Sequence, residues 1–395
     1  MKLYKRNAGG KPIFWQIAKH DDTHLEVSYG IIGLKVRTDI IKGSDKEMLS
    51  LVNSKRKEGY KELSDLYDNA PEYLESDNLY NYLNTYLPKY NTHEDGKFIP
   101  MLCKTLNDNK PFERNHYMGS FKINGERCIV SAFKTTDMFN PIKLNYRSRE
   151  GIDWTNKLSY LDEYLIPLIG KELLDMMVEE NVSLDGELYL PGYGINQINS
   201  IIKNDALPQH YQLQYWVFDL AVENIIAVNR YNILDNNLNH TYANITSKEA
   251  HFNNKERLNL VCNEYVDNYE EAVNYRDKFI SYGFEGIVIR DINAEYQFGG
   301  KRNNSMLKFK KVLDGLFEIK DIVPEGKQRS DLPKFICAND INDELFECTI
   351  NKSHVEQREI LANKDKYIGR KMLVEFRERS GIKSVPFHAK GITIK

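Results

Sequence analysis

The sequence predicts an α+β protein in three parts: a small sheet-and-helix unit, a larger sheet-and-helix domain, and a small β-barrel. From residue 98 to about 311, strand-like and helix-like segments alternate, which is typical of a domain built on antiparallel sheets. After Val312 the pattern changes to five short strands, which indicates a barrel of the OB type. The predicted parts are 1–65, a connecting segment with one helix at 66–96, 97–311 and 312–395.

The first unit is predicted from alternating strands followed by one amphipathic helix. Residues 13–18, 25–30 and 36–41 are strand-like, and Ser44 begins a helix that ends at Gly59. In the middle domain, helices are predicted at 154–169 and 269–282. The predicted barrel strands are 317–322, 335–338, 344–350, 371–377 and 391–395.

Composition sets limits on the class of protein. The chain has 395 residues, of which 41% are hydrophobic and 28% charged, as in ordinary globular proteins. No apolar run is long enough for a membrane span, and the start lacks the apolar core of a signal peptide. The cysteines have no CxxC spacing, so neither a disulfide framework nor a structural zinc is indicated: Cys103, Cys128, Cys262, Cys337 and Cys348. We expect a cytoplasmic protein.

The net charge of −3 does not favour a polyanionic partner, but the charge is unevenly distributed. Residues 301–311 contain only basic residues among their charges. Lys308 and Lys310 alternate, so on a strand both would face one side, where they could hold a triphosphate. Arg149, in a turn-like segment, could serve a phosphate in the same way or be a plain turn arginine.

The segment 121–127 contains a candidate nucleophile, Lys122, followed by Gly125 and Arg127. A lysine that attacks phosphorus must be uncharged, and its ordinary pKa near 10.4 makes that state rare at pH 7. We expect Arg127, the later lysines or a metal ion to lower the pKa of Lys122. Gly125 would allow a close backbone approach to a nucleotide.

Two acidic residues in strand-like segments follow the lysine. Glu187 and Glu285 are hard oxygen ligands that suit Mg²⁺, which combines a few carboxylates with substrate phosphate and water. Each stands beside a glycine and next to an apolar strand, so both could project from a sheet edge into a cleft. Segment 215–220 is a predicted buried strand, in which Phe218 is a candidate for stacking on a base.

In chain order these segments resemble the ATP-dependent DNA ligases, a family of covalent nucleotidyltransferases. The resembling segments are 98–102, 122–127, 148–149, 185–187, 215–220, 285–290 and 308–310. The resemblance covers roughly residues 97–395. It implies an adenylation domain followed by an OB domain, with the active cleft between them.

The resemblance also implies roles for individual residues. Lys122 would form a lysyl-AMP intermediate from ATP. Glu187 and Glu285 would hold the ribose or a divalent metal, Mg²⁺ or Mn²⁺. The other implied contacts with nucleotide or DNA phosphate come from Ser120, Arg127, Arg149, Phe218, Arg302, Lys308 and Lys310. The implied partner is nicked double-stranded DNA, the implied protein a monomer without membrane association.

Residues 1–65 resemble a WGR domain, a module associated with nucleic-acid ends. The family's Trp-Gly-Arg signature is Tyr29-Gly30-Ile31 in this chain, so its arginine is missing. In the barrel, the basic motif that orients pyrophosphate in the family is degraded, with Lys390 as its nearest counterpart. An N-terminal extension of this kind suggests a phage or viral source.

The sequence therefore predicts an ATP-dependent DNA ligase that seals nicks through lysyl-AMP and DNA-adenylate. Three alternatives remain open at this point. An RNA ligase or RNA-end-processing enzyme shares the lysine chemistry, and so does a guanylyl-transferring capping enzyme. From a different class, the chain could be a non-catalytic nucleic-acid-binding protein with an inactive ligase core.

Overall fold

In the computed structural model the chain divides into two compact units, Met1–Phe309 and Lys310–Lys395. The division falls near the boundary predicted at residue 311, and the boundaries predicted at 65 and 96 stay predictions. The mixed α+β class and the small closed barrel near the C-terminus are confirmed. The structure describes residues 1–7, 10–66, 76–93, 95–106, 116–180, 182–239, 241–242, 245–326, 329–376, 378–380 and 383–395.

The chain begins with a four-stranded antiparallel sheet in sequential order. Its strands are β1 (Lys2–Arg6), β2 (Pro12–Lys19), β3 (His24–Ile31) and β4 (Arg37–Lys42). The sequence predicts the last three but not β1. Helices follow at α1 (Asp45–Lys57) and α2 (Ser76–Tyr86). The N–H of Ser44 donates to the Glu47 carboxylate over 2.7 Å, which fixes the start of α1.

Each face of this sheet is covered by a different helix. Leu3 and Ile17 belong to one apolar cluster with Val52 of α1. Tyr4 belongs to a second cluster with Leu83 of α2. The helix predicted inside the connecting segment is thus part of the packing of the first sheet.

Two sheets build the rest of the first unit. A six-stranded sheet has the order β11-β12-β10-β9-β7-β8 and a five-stranded sheet the order β13-β6-β14-β15-β5. The strands are β5 (Leu102–Thr105), β6 (Tyr117–Lys122), β7 (Glu126–Lys134), β8 (Ile142–Ser148), β9 (Ser183–Tyr189), β10 (Gln214–Ala221), β11 (Thr241–Tyr242), β12 (Leu258–Leu260), β13 (Asn263–Val266), β14 (Gly286–Asp291) and β15 (Arg302–Lys310). One large apolar core joins both sheets and the helices packed on them.

The helices of this part are mostly short. They are α3 (Thr155–Leu158), α4 (Asp162–Leu165), α5 (Lys171–Glu179), α6 (Ile195–Lys203), α7 (Ala227–Asn237), α8 (Lys248–Asn253) and α9 (Tyr269–Ser281), with 3-10 turns at Ser159–Leu161, Ile166–Leu168 and Pro208–Gln212. The prediction of one continuous helix at 154–169 is wrong. The segment alternates between α and 3-10 turns, and Pro167, which lacks an N–H donor, lies in its last turn.

The second unit is a closed barrel with the strand order β16-β17-β18-β22-β19. Its strands are β16 (Leu313–Pro324), β17 (Pro333–Ala338), β18 (Leu345–Ile350), β19 (Lys371–Phe376) and β22 (Lys390–Ile394). A small hairpin, β20 (Glu378–Ser380) and β21 (Val385–Phe387), helix α10 (His354–Ala362) and a 3-10 turn at Lys364–Lys366 complete it. All five strands predicted from the sequence are present in the barrel.

Candidate functional site

A cavity lies where the two sheets of the first unit face each other. Four strands of the five-stranded sheet contribute side chains to its lining, and three strands of the six-stranded sheet contribute one side chain each. The lining residues are Cys103, Ser120, Phe121, Lys122, Ile123, Arg127, Glu187, Phe218, Val288, Arg290 and Met306. Five of the ten residues predicted to form the site therefore meet in one place: Ser120, Lys122, Arg127, Glu187 and Phe218.

Lys122 is the last residue of β6, where the chain leaves one sheet for the other. Strand pairing places Gly286 opposite it, and the N–H of Glu285 donates to the Lys122 carbonyl over 3.0 Å. As a result, Lys122 Nζ lies 2.9 Å from a carboxylate oxygen of Glu285. The same amine donates to the carbonyl of Ile123 over 3.2 Å.

The prediction that neighbouring cations lower the pKa of Lys122 is wrong for this ligand-free structure. Burial does lower it, but the negative charges of Glu187 and Glu285 outweigh burial and raise the pKa above its ordinary value. The sequence could not show that the two acids, rather than the arginine, dominate the charge around the amine. Lys122 is therefore an ammonium group that must lose a proton before it can act as a nucleophile.

Glu187 lies in β9 directly opposite Arg127 of β7. Its carboxylate accepts a hydrogen bond of 2.8 Å from the N–H of Gly125. Burial raises the pKa of Glu187 to about 7, with a further increase from the like charge of Glu285, against the lowering effects of Lys122 and Gly125. A Cβ on Gly125 would lie 2.5 Å from the carbonyl of Leu188, so only glycine fits this approach.

Glu187 and Glu285 also determine whether a divalent cation fits. Two carboxylates act on a single ammonium group, Lys122, which leaves an excess of negative charge. Burial is the main cause of the raised pKa of Glu187, and the like charge of Glu285 adds to it. Mg²⁺ commonly takes one or two carboxylates and completes its shell with phosphate and water. Within the described part of the chain, no cluster of three or more His, Cys, Asp or Glu side chains forms a ready-made metal site. The pair thus fits a cation that arrives with a phosphate ligand.

Arg127 is fixed by a buried carboxylate. Its Nε donates to Asp185 Oδ1 over 2.9 Å, and its Nη1 donates to the carbonyl of Met101 over 2.6 Å. Tyr296 donates its hydroxyl to the same carboxylate over 2.6 Å. Burial lowers the pKa of Arg127, but Asp185 outweighs this effect and raises it. The guanidinium is therefore a permanent cation held at the wall of the cavity.

Phe218 enters the cavity because its strand is irregular. The pairing of β10 with β9 shifts register between Val217 and Asp219, which is the signature of a β-bulge at Phe218. Its ring lies 5.4 Å from the guanidinium carbon of Arg127 and 5.9 Å from that of Arg290. The bulge thus turns one aromatic ring of a buried strand towards the space beside Lys122.

Arg290 is a cavity residue to which the sequence analysis assigned no role. Its side chain is buried and lies 3.3 Å from Asp219, which is also bound by Arg230. Among the described residues, its Nη1 has no hydrogen-bond partner. Two arginines therefore share one buried carboxylate, which leaves one of the two positive charges uncompensated within this group. Val288 and Arg290 are two residues apart on β14 and both line the cavity, but no sequence pattern indicates the vacant donor.

The cavity holds only about 50 Å³. Small-molecule sites typically hold about 300–1,000 Å³. The cavity, lined in part by Phe218 and Met306, is therefore smaller than a typical small-molecule site. Cys103 and Met306, which the sequence analysis also left without a role, line this space.

The other five predicted residues lie outside the cavity lining, and Glu285 is one of them although its carboxylate pairs with Lys122. Arg149 is half exposed in the turn after β8 and pairs with Glu150 at 2.6 Å. Arg302 donates to the carbonyl of Cys103 over 2.6 Å and lines a different cavity of about 340 Å³. Lys308 follows Met306 on the same face of β15, and Lys310 is the first residue of the second unit.

Solved structures give the fold class of this arrangement. A structure from a study of Lig E DNA ligases aligns with a TM-score of 0.53 at 15% identity, covering 75% of this chain and 98% of that one. A structure named Pmar-Lig_Pre aligns with a TM-score of 0.58 at 14% identity, covering 82% of this chain and 72% of that one. At these identities the similarity defines a ligase-type fold and nothing finer.

Sequence comparison identifies the family. The family model described as "ATP dependent DNA ligase domain" matches residues 100–310, which is more than half of the chain. The chain belongs to this family. It is 27% identical over 239 residues to a DNA ligase of African swine fever virus, covering 57% of this chain and 54% of the relative. A DNA ligase of Enterobacteria phage T4 is 28% identical over 127 residues, covering 29% and 25%.

The chain spans about half the length, or less, of these curated relatives. In the described part of the chain, no helix has the length and apolar character needed to cross a membrane.

Proposed function

We propose that the protein seals nicks in duplex DNA at the expense of ATP, through a lysyl-AMP intermediate on Lys122. The family membership supports this activity, and the 2.9 Å approach of the cavity residue Lys122 to the Glu285 carboxylate is the observation that carries it. We further propose that it acts as a monomer.

The proposed reaction has three displacements at phosphorus. Lys122 Nζ, after losing a proton, attacks the α-phosphate of ATP, forms a phosphorus–nitrogen bond and releases pyrophosphate. The 5′-phosphate oxygen of the nick then attacks the same phosphorus and frees Lys122. The 3′-hydroxyl finally attacks the 5′-phosphate, closes the strand and releases AMP.

Glu187 and Glu285 are the residues that would hold Mg²⁺ in this reaction. When bound there, the cation neutralises the charges that keep Lys122 protonated and polarises a phosphate oxygen. Glu285, as the nearest carboxylate to Nζ, also orients the amine within the cavity. Mn²⁺ has the same preference for oxygen ligands and is the expected substitute.

Four residues of the cavity are proposed to bind the nucleotide. Phe218 offers a ring face for stacking on the adenine, and Ser120, on β6 of the five-stranded sheet, lines the same cavity. The vacant donor of Arg290 suits an acceptor on the base, and Arg127 suits an anionic or ribose oxygen. Opening the cavity around Phe218 would therefore accompany binding.

Nicked duplex DNA is the proposed partner, contacted by basic residues outside the cavity. They are Arg149, Arg302, Lys308 and Lys310, with the WGR-like sheet of residues 1–65 as a further proposed contact. A viral or phage enzyme acting in the host cytoplasm fits the relatives that the chain resembles.

The first experiment is intact-mass measurement of the purified protein after incubation with ATP and Mg²⁺. Addition of one adenylyl group, released by pyrophosphate, is expected in the wild type and absent in Lys122→Ala. Lys134→Ala removes an exposed lysine that pairs with Glu179 and serves as the matched control, which should take up the label normally. No adduct in the wild type would contradict the proposal, and an adduct with GTP in place of ATP would redirect it to capping chemistry.

A further inference from the structure

The turn that presents Arg149 is tied to a segment that precedes the domain's first strand. One nitrogen of Arg147, Nη1, lies 2.5 Å from the carboxylate of Asp95. The same nitrogen donates to the carbonyl of Gly151 over 3.0 Å. Arg147 therefore contacts both segments through one nitrogen and bridges them.

The segment that carries Asp95 is itself held in place. The N–H of His93 donates to the carbonyl of Lys97 over 2.8 Å, and the N–H of Lys97 donates to Asp95 over 3.1 Å. The His93 ring packs against Gly151, where an added Cβ would lie only 2.9 Å from the ring. Gly151 has a φ of +87°, so both its backbone and its surroundings require glycine.

Internal hydrogen bonds complete the turn. The N–H of Gly151 donates to the Ser148 carbonyl over 3.0 Å, and the N–H of Ile152 donates to the Ser148 hydroxyl over 2.9 Å. Ser148 is buried, whereas the Arg149 side chain is half exposed and paired only with its neighbour Glu150 among the contacts described. The backbone under Arg149 is therefore fixed while its guanidinium stays accessible.

We propose that Asp95 and Arg147 are positioning residues that preset the Arg149 turn for the terminal 5′-phosphate of a nicked strand. This inference rests on the proposed function. A guanidinium binds a phosphate through paired, charge-assisted hydrogen bonds whose strength depends on orientation. A turn already held in its binding geometry avoids the ordering cost that a loose turn would carry. The terminal phosphate has one more negative charge than an internal phosphodiester, and this distinguishes it as the ligand.

The experiment compares binding to two nicked duplexes that differ only in a 5′-phosphate or a 5′-hydroxyl at the nick. Fluorescence anisotropy gives the ratio of the two dissociation constants for each variant. The wild type is expected to prefer the phosphorylated nick, and Arg149→Ala to lose most of that preference. Asp95→Asn should reduce the preference about tenfold, and Asp95→Glu should restore a large part of it.

Two controls separate positioning from general damage. Asp95→Asn should form lysyl-AMP at the wild-type rate, because Asp95 lies outside the cavity lining. Asp175→Asn removes an exposed carboxylate that pairs with Lys171 and should leave the preference unchanged. A double variant of Asp95→Asn and Arg149→Ala should be no worse than Arg149→Ala alone, since both changes act on one contact.

The outcomes distinguish the inference from the proposed function. If the wild type prefers the 5′-phosphate and Asp95→Asn retains the full preference, the positioning role is wrong and the function stands. If the wild type forms no adenylate and shows no preference, the proposed function itself fails. If Asp95→Asn loses adenylate formation together with the preference, the residue is structural and the inference is overturned.

Discussion

Asp185 and Arg127 form a buried pair with two hydrogen bonds, at 2.9 Å to Oδ1 and 2.5 Å to Oδ2. The carboxylate is fully buried and also accepts the hydroxyl of Tyr296. The pair therefore holds the Arg127 side chain in place at the wall of the cavity.

Asp185→Asn is expected to destabilise the protein strongly. Removing one partner of a buried ion pair costs about 3–5 kcal/mol, because the remaining charge is left without compensation. Urea denaturation followed by tryptophan fluorescence measures the loss. The matched change Asp175→Asn, at an exposed pair with Lys171, should alter stability by less than about 1 kcal/mol. Similar effects of the two changes would mean that the Asp185 pair contributes no more than an exposed one.

Glu187 is expected to impose a pH dependence on adenylate formation. Burial raises its pKa to about 7, so the carboxylate needed for a cation is present only above that pH. The single-turnover rate should rise as pH increases through 7. In Glu187→Gln this step should disappear, and any remaining rise would belong to Lys122, whose pKa is also raised. An unchanged step at pH 7 in Glu187→Gln would assign the titration to another group.

In the absence of ATP and Mg²⁺, the contribution of Glu187 to the free energy of unfolding should fall as pH rises, whereas the rate of adenylate formation rises. A carboxyl group whose pKa is raised on folding stabilises fully below its ordinary value of 4.5, and this contribution is lost as pH rises through 7. Between these limits the wild type should lose stability relative to Glu187→Gln. Thermal unfolding of both proteins at several pH values measures the difference.

Much of the fold was predictable because it depends on local alternation. The five barrel strands follow from short apolar repeats between turn residues, and the helix predicted at 269–282 is present as α9. In the structure the Asn268 side chain caps this helix by accepting the N–H of Glu271 over 2.9 Å. The continuous helix predicted at 154–169 is wrong, because a helical pattern of apolar residues does not distinguish α turns from 3-10 turns.

Half of the predicted site residues line one cavity, whereas the electrostatics of that cavity were not predictable from the sequence. Strand register brings Glu285 beside Lys122 and Glu187 opposite Arg127, and the order of the motifs indicated those neighbours. The distances between the charged groups decide whether the pKa of Lys122 is raised or lowered, and no sequence pattern gives those distances. The bulge at Phe218 likewise arises from pairing between β10 and β9, which lie far apart in the chain at that point.

Gly125→Ala is expected to impair adenylate formation while preserving the fold. The new methyl group would lie 2.5 Å from the carbonyl of Leu188 and 3.1 Å from the Glu187 carboxylate, so the loop must move away from both. Overpacking of this kind costs about 1–3 kcal/mol. Gly194→Ala is the control, since its nearest atom, in Gln197, lies 3.8 Å away. Normal single-turnover rates in Gly125→Ala would show that the close approach of Glu187 is dispensable.

Cys103 provides a direct probe of nucleotide occupancy. Its side chain lines the cavity and is half buried, whereas three other cysteines are buried: Cys128, Cys337 and Cys348. N-ethylmaleimide should add to Cys103, forming a carbon–sulfur bond, and block adenylate formation. Saturating ATP with Mg²⁺ should slow this labelling at least about tenfold, as mass action predicts for a protected site.

The half-buried Cys262, which lies outside the cavity lining, is the internal reference in the same peptide map. Its labelling should not respond to ATP, because no nucleotide contact is proposed for it. Cys103→Ala should keep its adenylate formation after maleimide treatment. Equal labelling of Cys103 with and without ATP, in protein that does form the adenylate, would mean that the nucleotide enters by a path that leaves this thiol exposed.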